Sequence, residues 1–102
     1  MFKGREIVCL CGSTKFKKEF EETAKREACK GNVVLSVAYF SHADGEELSD
    51  IRKRDLDHLH LDKVAMADRI IVINVGGYIG YSTEGEINHA KRLNKKIEYL
   101  EN

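Results

Sequence analysis

An apolar run, Arg69-Ile-Ile-Val-Ile73, leads directly into the stretch Asn74-Val-Gly-Gly-Tyr-Ile-Gly-Tyr-Ser-Thr-Glu-Gly-Glu86. The run has the length and the β-branched composition of a buried strand, and the segment from Ile87 to Leu93 has helical spacing. Three glycines and a Ser-Thr pair therefore join a strand to the start of a helix. Glycine lets backbone N–H groups approach a ligand closely, and a helix N-terminus favours negative charge. The stretch predicts a ligand-binding turn.

Two carboxylates, Glu84 and Glu86, fall in what this pattern predicts to be the first turn of the helix. Thr83-x-x-Glu86 fits a capping box, in which Thr83 caps the helix and Glu86 reaches back to the N–H group of the cap. In the other interpretation Glu86 is a nucleophile that attacks an anomeric carbon and holds a covalent glycosyl intermediate. The pattern alone leaves both open.

The same alternation of strand and helix runs through the whole chain. Strands are predicted over residues 6–11, 32–36, 68–74 and 96–100, and helices over residues 14–30, from Ser49 or Asp50 to about Ala67, and after the glycine turn. This βαβαβαβ order favours one α/β domain over residues 1–102. We predict a flavodoxin- or Rossmann-like three-layer fold, with a parallel four-stranded sheet in the order 2-1-3-4.

Apolar residues at helical spacing predict the buried face of each helix. They are Phe16, Phe20, Ala24 and Ala28 in the first helix, Leu56, Leu59, Val64 and Met66 in the second, and Ile87, Ala90 and Leu93 in the third. Gly31 and Asn94 are predicted to end the first and third helices. His60 falls within the second stripe, where it either packs in the core or donates a proton in catalysis.

In this strand order the sheet connections reverse between strands 1 and 3, and ligands of such folds bind there, outside the carboxyl ends of the strands. The loop after strand 1 and the glycine turn are therefore predicted to meet. We expect Gly12, Ser13 and Lys15 to hold a phosphate, because lysines in the first turn of a helix otherwise oppose its dipole. The alternative is that these lysines are merely solvated. The glycine motifs of P-loop and dinucleotide-binding proteins are absent.

The glycine turn supplies further predicted contacts to a substrate. Gly80, Ser82 and Thr83 would lie beside it at the start of the helix. Tyr78 and Tyr81 would either stack on a base or pack over the turn.

Histidines and cysteines predict no metal site in this sequence. His58 and His60 point to different sides of a helix, so they do not form a zinc-binding pair. His42 and Asp44, which follow strand 2, would line the crevice. An odd number of cysteines in this chain predicts free thiols, and those in strand 1 act as small hydrophobic residues. The cysteines are Cys9, Cys11 and Cys29.

The net charge and the lengths of the apolar runs limit the kinds of partner that we expect for this chain. The formal net charge is +0 although 33% of residues are charged, which argues against a nucleic-acid polymer as the ligand. No apolar run reaches about 18 residues, so we expect neither a membrane span nor membrane binding. We expect a cytoplasmic protein that acts on a small molecule without a cofactor.

Three segments in this order and spacing resemble the nucleoside 2-deoxyribosyltransferase-like superfamily. They are Leu10-Cys-Gly-Ser13, Ala67-Asp-Arg-Ile-Ile-Val-Ile-Asn74 and Gly80-Tyr-Ser-Thr-Glu-Gly-Glu-Ile-Asn-His-Ala90. The superfamily includes the small 2′-deoxynucleoside 5′-phosphate N-hydrolases and a short branch that carries Gly-Gly-Tyr-Ile-Gly before Ser-Thr. The resemblance implies that Glu86 is the nucleophile, that Ser13 and Lys15 lie near the phosphate, and that His60 stands where the family has an aspartate that protonates the leaving base.

The resemblance also implies what the chain acts on. We expect cleavage or transfer of the N-glycosidic bond of a nucleotide or nucleoside, and a homo-oligomer whose neighbouring subunits complete the site, with Glu101 or the terminal Asn102 as contributors. The alternatives are a nucleotide-binding sensor or scaffold without turnover and, more weakly, a flavodoxin-like FMN binder. The sequence leaves open the base, the choice between ribose and deoxyribose, and the choice between hydrolysis and transfer.

Overall fold

The computed structural model describes residues 5–38, 40–41 and 43–102. The strands are β1 Ile7–Gly12, β2 Val33–Leu35, β3 Arg69–Ile73 and β4 Lys96–Tyr99. The helices are α1 Lys17–Cys29, α2 Asp50–Met66 and α3 Tyr81–Arg92, with a short 3₁₀ turn over Val75–Gly77. All paired strands are parallel and the sheet order is β2-β1-β3-β4, which confirms the predicted topology. Within the described ranges, no helix is both long and apolar enough to cross a membrane.

The sheet is buried on both faces, which explains why β1 and β3 are continuous apolar runs. Successive side chains of a strand point to opposite faces. Cys9 and Cys11 therefore belong to one core cluster, which includes Val64 from α2 and Ala90 from α3. Leu10 packs in the other cluster with Phe20 of α1. The sheet is thus the middle of three layers, with α2 and α3 on one face and α1 on the other.

Helix α1 begins three residues later than predicted, and its buried face is shifted only at its C-terminal end. A turn in which the Phe16 N–H group donates to the Ser13 carbonyl precedes the helix. Phe20 is fully buried, but Ala28, which we expected on the same face, is exposed. Phe16 and Ala24 pack against the same core cluster as Phe20, as predicted. Thr23 and Glu27 are buried as well, because residues three and seven positions after Phe20 lie on its side of the helix. Gly31 follows the helix at φ +88°, as predicted.

Ion pairs compensate the burial of Glu27. Its Oε1 accepts hydrogen bonds from Arg69 Nη2 at 2.9 Å and from Asn32 Nδ2 at 3.0 Å, while Lys30 Nζ lies 3.2 Å from Oε2. Arg69 also pairs with Glu98 of β4 at 2.9 Å. This network ties the end of α1 to β3 and β4.

Helix α2 confirms the predicted cap and corrects the predicted stripe. Ser49 caps it, with Oγ accepting from the Arg52 N–H group at 3.2 Å. Val64 and His60 are buried, but Leu59 and Met66 are 55% and 61% exposed. The predicted stripe is wider than the face that packs on the sheet and α3, and its outer residues line a cavity instead.

Helix α3 starts too early for the capping box. Gly80 is the N-cap residue, and the Glu84 N–H group donates to its carbonyl at 2.9 Å. Thr83 and Glu86 therefore lie inside the helix, and the predicted cap is wrong. Only Glu84 is an acidic residue of the first turn. The other end matches the prediction, since Asn94 follows the helix at φ 57°, although Leu93 is exposed rather than packed.

Substitution of two glycines by alanine should change the free energy of unfolding in opposite directions. A Cβ atom on Gly12 would lie 2.9 Å from the Ile73 Cβ atom and 3.0 Å from the Ile73 carbonyl oxygen. Gly12→Ala should therefore lower the free energy of unfolding by about 1–3 kcal/mol. Gly85 lies within α3, and a Cβ atom there would meet no described atom within 4 Å. Gly85→Ala should raise that free energy by roughly 0.5–1 kcal/mol. Chemical denaturation of both variants tests these two expectations. Similar changes of the free energy of unfolding in the same direction would contradict the close approach at Gly12.

Candidate active site

A cavity of about 950 Å³ opens at the carboxyl ends of β1 and β3. Its described walls come from the loop after β1, the residues between β2 and α2, the face of α2 and the first turns of α3. The two loops that the topology brings together therefore meet here. Nine of the residues predicted to contact a substrate or act in catalysis line the cavity: Gly12, Ser13, His60, Tyr78, Gly80, Tyr81, Ser82, Thr83 and Glu86.

Glu86 combines a buried side chain with a carboxylate oxygen that faces the cavity. Its side chain is only 9% exposed, and among the described residues its Oε1 atom has no hydrogen-bond partner. His60 Nε2 lies 3.9 Å from that oxygen. Burial, with help from the nearby charges of Cys9 and Asp57, raises the pKa of Glu86 to about 7, although His60 and the side chain of Cys11 oppose the change. At neutral pH the carboxyl group is therefore populated in both its protonated and its ionised form.

His60 holds its ring against the floor of the cavity. Its Nε2 atom lies 2.9 Å from the Leu10 carbonyl oxygen, a contact that requires Nε2 to donate its proton. Cys9 Sγ lies 3.6 Å from the same nitrogen. Burial alone would lower the pKa of His60, but its contacts with Cys9 and Glu86 outweigh burial and raise it. The apolar stripe of the second helix correctly predicted that His60 is buried. Its ring lies beside Glu86 as well as against the core.

Cys9 and Cys11 lie in the same strand on the same face and are wholly buried. A hydrogen bond from Cys11 and the proximity of His60 lower the pKa of Cys9 to about 6, against the effect of burial. Cys9 and burial together raise the pKa of Cys11. Both thiols are free, as is the exposed Cys29, in agreement with the predicted free thiols.

Asp57 is a cavity residue that the sequence pattern did not single out. It lies one helical turn before His60, and its Oδ2 atom accepts a hydrogen bond from Ser82 Oγ at 3.3 Å. This bond joins α2 to the first turn of α3. The spacing of three residues from His60 was the available signal, because such residues share a helix face.

The loop after β1 brings Gly12, Ser13 and Thr14 to the cavity, but not Lys15. Ser13 Oγ accepts from the Lys15 N–H group at 3.3 Å. The Lys15 ammonium instead lies 3.7 Å from the centre of the Tyr78 ring. Phosphate binding by Lys15 therefore stays a prediction that requires its side chain to leave this ring.

The aromatic residues of the glycine turn differ in exposure. Tyr78 packs edge-on against Phe16, with ring centroids 6.0 Å apart, but it also lines the cavity, so both interpretations of this residue stay open. Tyr81 is 95% exposed at the cavity rim. Asp44 pairs with Lys17 at 3.1 Å and is not among the cavity residues. His42 lies outside the described residues.

The end of the chain fixes the glycine turn. Asn74 Nδ2 donates to the Glu101 carbonyl at 2.9 Å, and the Glu101 N–H group donates to Asn74 Oδ1 at 2.8 Å. The Gly76 N–H group donates to Glu101 Oε1 at 3.0 Å. Glu101 thus contacts its own chain, and a role for it in a neighbouring subunit stays a prediction.

The described cavity lining carries more negative than positive charge. Its acidic residues are Glu46, Glu47, Asp57, Asp62 and Glu86, and its basic residues are Lys53 and Lys63. Lys63 Nζ already donates to the Ser36 carbonyl at 2.7 Å. An anionic group of a ligand would therefore be placed best against backbone N–H groups, which are concentrated at Ser13 and at the N-terminus of α3.

Comparison with known proteins identifies the fold. Neither a protein-family model nor a curated protein matches the sequence. Among solved structures, the chain is similar to the CMP N-glycosidase BcmB of Clostridium botulinum, with a TM-score of 0.62 and 23% identity. The match covers 91% of this chain and 69% of that one. At this level of identity, the likeness shows a shared α/β fold.

Proposed function

We propose that this chain cleaves or transfers the N-glycosidic bond of a nucleoside or nucleotide, with Glu86 as the nucleophile. The observation that carries the proposal is the buried Oε1 atom of Glu86, which faces the cavity without a hydrogen-bond partner among the described residues. A carboxylate in a helix cap or an ion pair has its lone pairs engaged, whereas a nucleophile must keep one available. The fold shared with an N-glycosidase and the resemblance to the deoxyribosyltransferase-like superfamily support the same chemistry.

The reaction proceeds in two steps. Glu86 attacks C1′ of the sugar, the bond from C1′ to the base nitrogen breaks, and its electron pair leaves with the base. A proton delivered to that base completes its release. Water or a second base then attacks C1′, the ester bond to Glu86 breaks, and the anomeric configuration is retained overall.

Two groups near Glu86 are candidates to supply the proton. His60 is the residue that the resemblance implies, but its Nε2 proton is directed at the Leu10 carbonyl. Asp57 lies on the cavity side of the same helix and contacts Ser82. A proton donor must come within hydrogen-bond distance of the leaving base. Whether His60 or Asp57 does so depends on the position of the bound substrate.

A 5′-phosphate, where the substrate has one, is proposed to bind between Ser13 and the first turn of α3. Ser13→Ala should raise KM for a nucleoside 5′-monophosphate by roughly tenfold or more, since a hydrogen bond to a charged group contributes about 1.5–3 kcal/mol. KM for the matching nucleoside should stay unchanged. Steady-state kinetics on both substrates checks this, and an equal change for the two would argue that Ser13 only shapes the loop.

Release of free base tests the proposed function. Purified protein is incubated with ribo- and deoxyribonucleosides, their 5′-monophosphates, and a second free base as acceptor, and the products are separated by chromatography. We expect free base, or an exchanged nucleoside, from at least one of them. Binding of a nucleotide without any base release would support the sensor alternative. A yellow protein that carries FMN would support the flavodoxin-like alternative.

A further inference from the structure

A compact group of metal-binding side chains forms the floor of the cavity. Among the residues that the structure describes, Cys9 Sγ, Cys11 Sγ and a ring nitrogen of His60 all lie within 4.8 Å of one another. All three residues are buried. Thiolate sulfur and imidazole nitrogen are the donors that Zn²⁺ prefers.

The distances suit a tetrahedral zinc ion. Bonds of about 2.3 Å to sulfur and about 2.0–2.1 Å to nitrogen place the two donors roughly 3.5 Å apart in a tetrahedron. Cys9 Sγ and His60 Nε2 are 3.6 Å apart. Glu86 Oε1 lies 3.9 Å from the same nitrogen and has no described hydrogen-bond partner. It lies outside the group of three donors that are within 4.8 Å of one another, so it would become the fourth donor only after its side chain moves towards the ion.

We propose that Cys9, Cys11, His60 and Glu86 bind one thiophilic divalent cation, of which Zn²⁺ is the representative. Oxygen-seeking cations such as Mg²⁺ and Ca²⁺ do not fit a set with two sulfur donors. Access is from the cavity, which His60 and Glu86 line.

Binding is a coordination step without a change in oxidation state. The two thiols each release a proton to solvent as they bind. The neutral imidazole moves its proton from Nε2 to Nδ1 and gives up its contact with the Leu10 carbonyl. Glu86 binds as a carboxylate, so the affinity should rise with pH as ligand protons are lost.

Two simpler explanations account for less of the geometry. Buried cysteines often act only as small hydrophobic residues, which explains their burial but not the neighbouring histidine and the free carboxylate oxygen. A disulfide is disfavoured, because parallel side chains two apart in a strand keep their Cβ atoms about 6.6 Å apart, whereas a disulfide needs about 3.5–4.5 Å.

The site has a consequence that rests on the proposed function. A metal ion would occupy the lone pair with which Glu86 attacks the sugar. The zinc-bound form should therefore release no base, and a chelator should restore the activity.

Metal titration of the protein without substrate tests the site. Metal-free, reduced protein is titrated with Co²⁺ and then with Zn²⁺, and bound zinc is counted by elemental analysis after buffer exchange. We expect about one zinc ion per chain and, with Co²⁺, the charge-transfer absorption of thiolate ligands. Cys9→Ser and Cys11→Ser should each weaken binding by more than about tenfold. Cys29→Ser is the matched control and should bind as the wild type does, because Cys29 is exposed at the end of α1, on the other face of the sheet from the cluster.

Three results would overturn the site: no bound zinc, unchanged affinity in the Cys9 and Cys11 variants, or loss of binding in Cys29→Ser. Circular dichroism reports whether each variant is folded. If the cysteine variants do not fold, His60→Gln, which leaves both thiols in place, must show the same loss of affinity. Because binding is measured without substrate, a chain that binds zinc but whose metal-free form releases no base would refute the proposed function and leave the metal site standing.

Discussion

Glu86→Gln should abolish base release, with a loss of about 10³-fold or more in kcat, and should leave the protein folded. Glutamine has nearly the shape of glutamate but cannot form the glycosyl ester. The substitution also removes a charge that burial disfavours, since Oε1 has no described partner and burial is the largest cause of the raised pKa. We therefore expect a melting temperature equal to or above that of the wild type. Base release followed by chromatography and thermal melts of the same preparations give the two readings.

Glu84→Gln is the matched control for this experiment. Glu84 is on the same helix two residues earlier, but it is exposed and lies in the first turn. Its substitution should leave base release within about twofold of the wild type and lower stability by roughly 0.3–1 kcal/mol, through the helix dipole. Equal loss of activity in the two variants, or full activity in Glu86→Gln, would contradict the assignment of the nucleophile.

Glu27→Gln should destabilise the fold by about 3 kcal/mol without touching the cavity. The side chain is completely buried, and Arg69, Lys30 and Asn32 converge on it. Breaking a buried ion pair typically costs about 3–5 kcal/mol. Arg69 keeps Glu6 and Glu98 as partners after the substitution, so we expect the low end of this range. Since domains of this size are stable by only about 5–15 kcal/mol, the effect should be large in chemical denaturation. Glu21→Gln, at an exposed position of the same helix, should change stability by less than about 0.5 kcal/mol.

The same network predicts how stability depends on pH. Burial alone would raise the pKa of Glu27, but its bonds to Arg69, Asn32 and Lys30 lower it from 4.5 to about 2. A lowered folded-state pKa means that the contribution is fully present above the unfolded value of 4.5 and is lost as pH falls towards 2. The stability gap between the wild type and Glu27→Gln should therefore narrow over this interval. A gap that is constant from neutral pH down to pH 2 would show that the carboxylate charge is not what stabilises the network.

The fold could be predicted because local patterns and topology agreed. Continuous apolar runs identified β1 and β3, and strand–helix alternation fixed a parallel sheet whose order the structure confirms. Helix starts were harder to predict. The capping-box pattern at Thr83 and Glu86 matched a cap that the chain does not use, because Gly80 begins α3 a turn earlier.

The cavity was predicted in place but not in detail. The switch point of the sheet indicated which two loops meet, and nine of the predicted residues line the cavity. The contact between Lys15 and the Tyr78 ring was not predicted, because the direction of a flexible side chain depends on its tertiary neighbours. The grouping of Cys9 and Cys11 with His60 depends on how α2 lies over β1, which no spacing within one element reveals.

The most direct test of the proposed chemistry is mass spectrometry of the protein quenched during turnover of a substrate that it cleaves. The account predicts a mass increase equal to one sugar, or one sugar phosphate, on the peptide that contains Glu86, and no such increase in Glu86→Gln. Base release without any adduct on slow substrates, or an adduct on a different residue, would contradict Glu86 as the nucleophile.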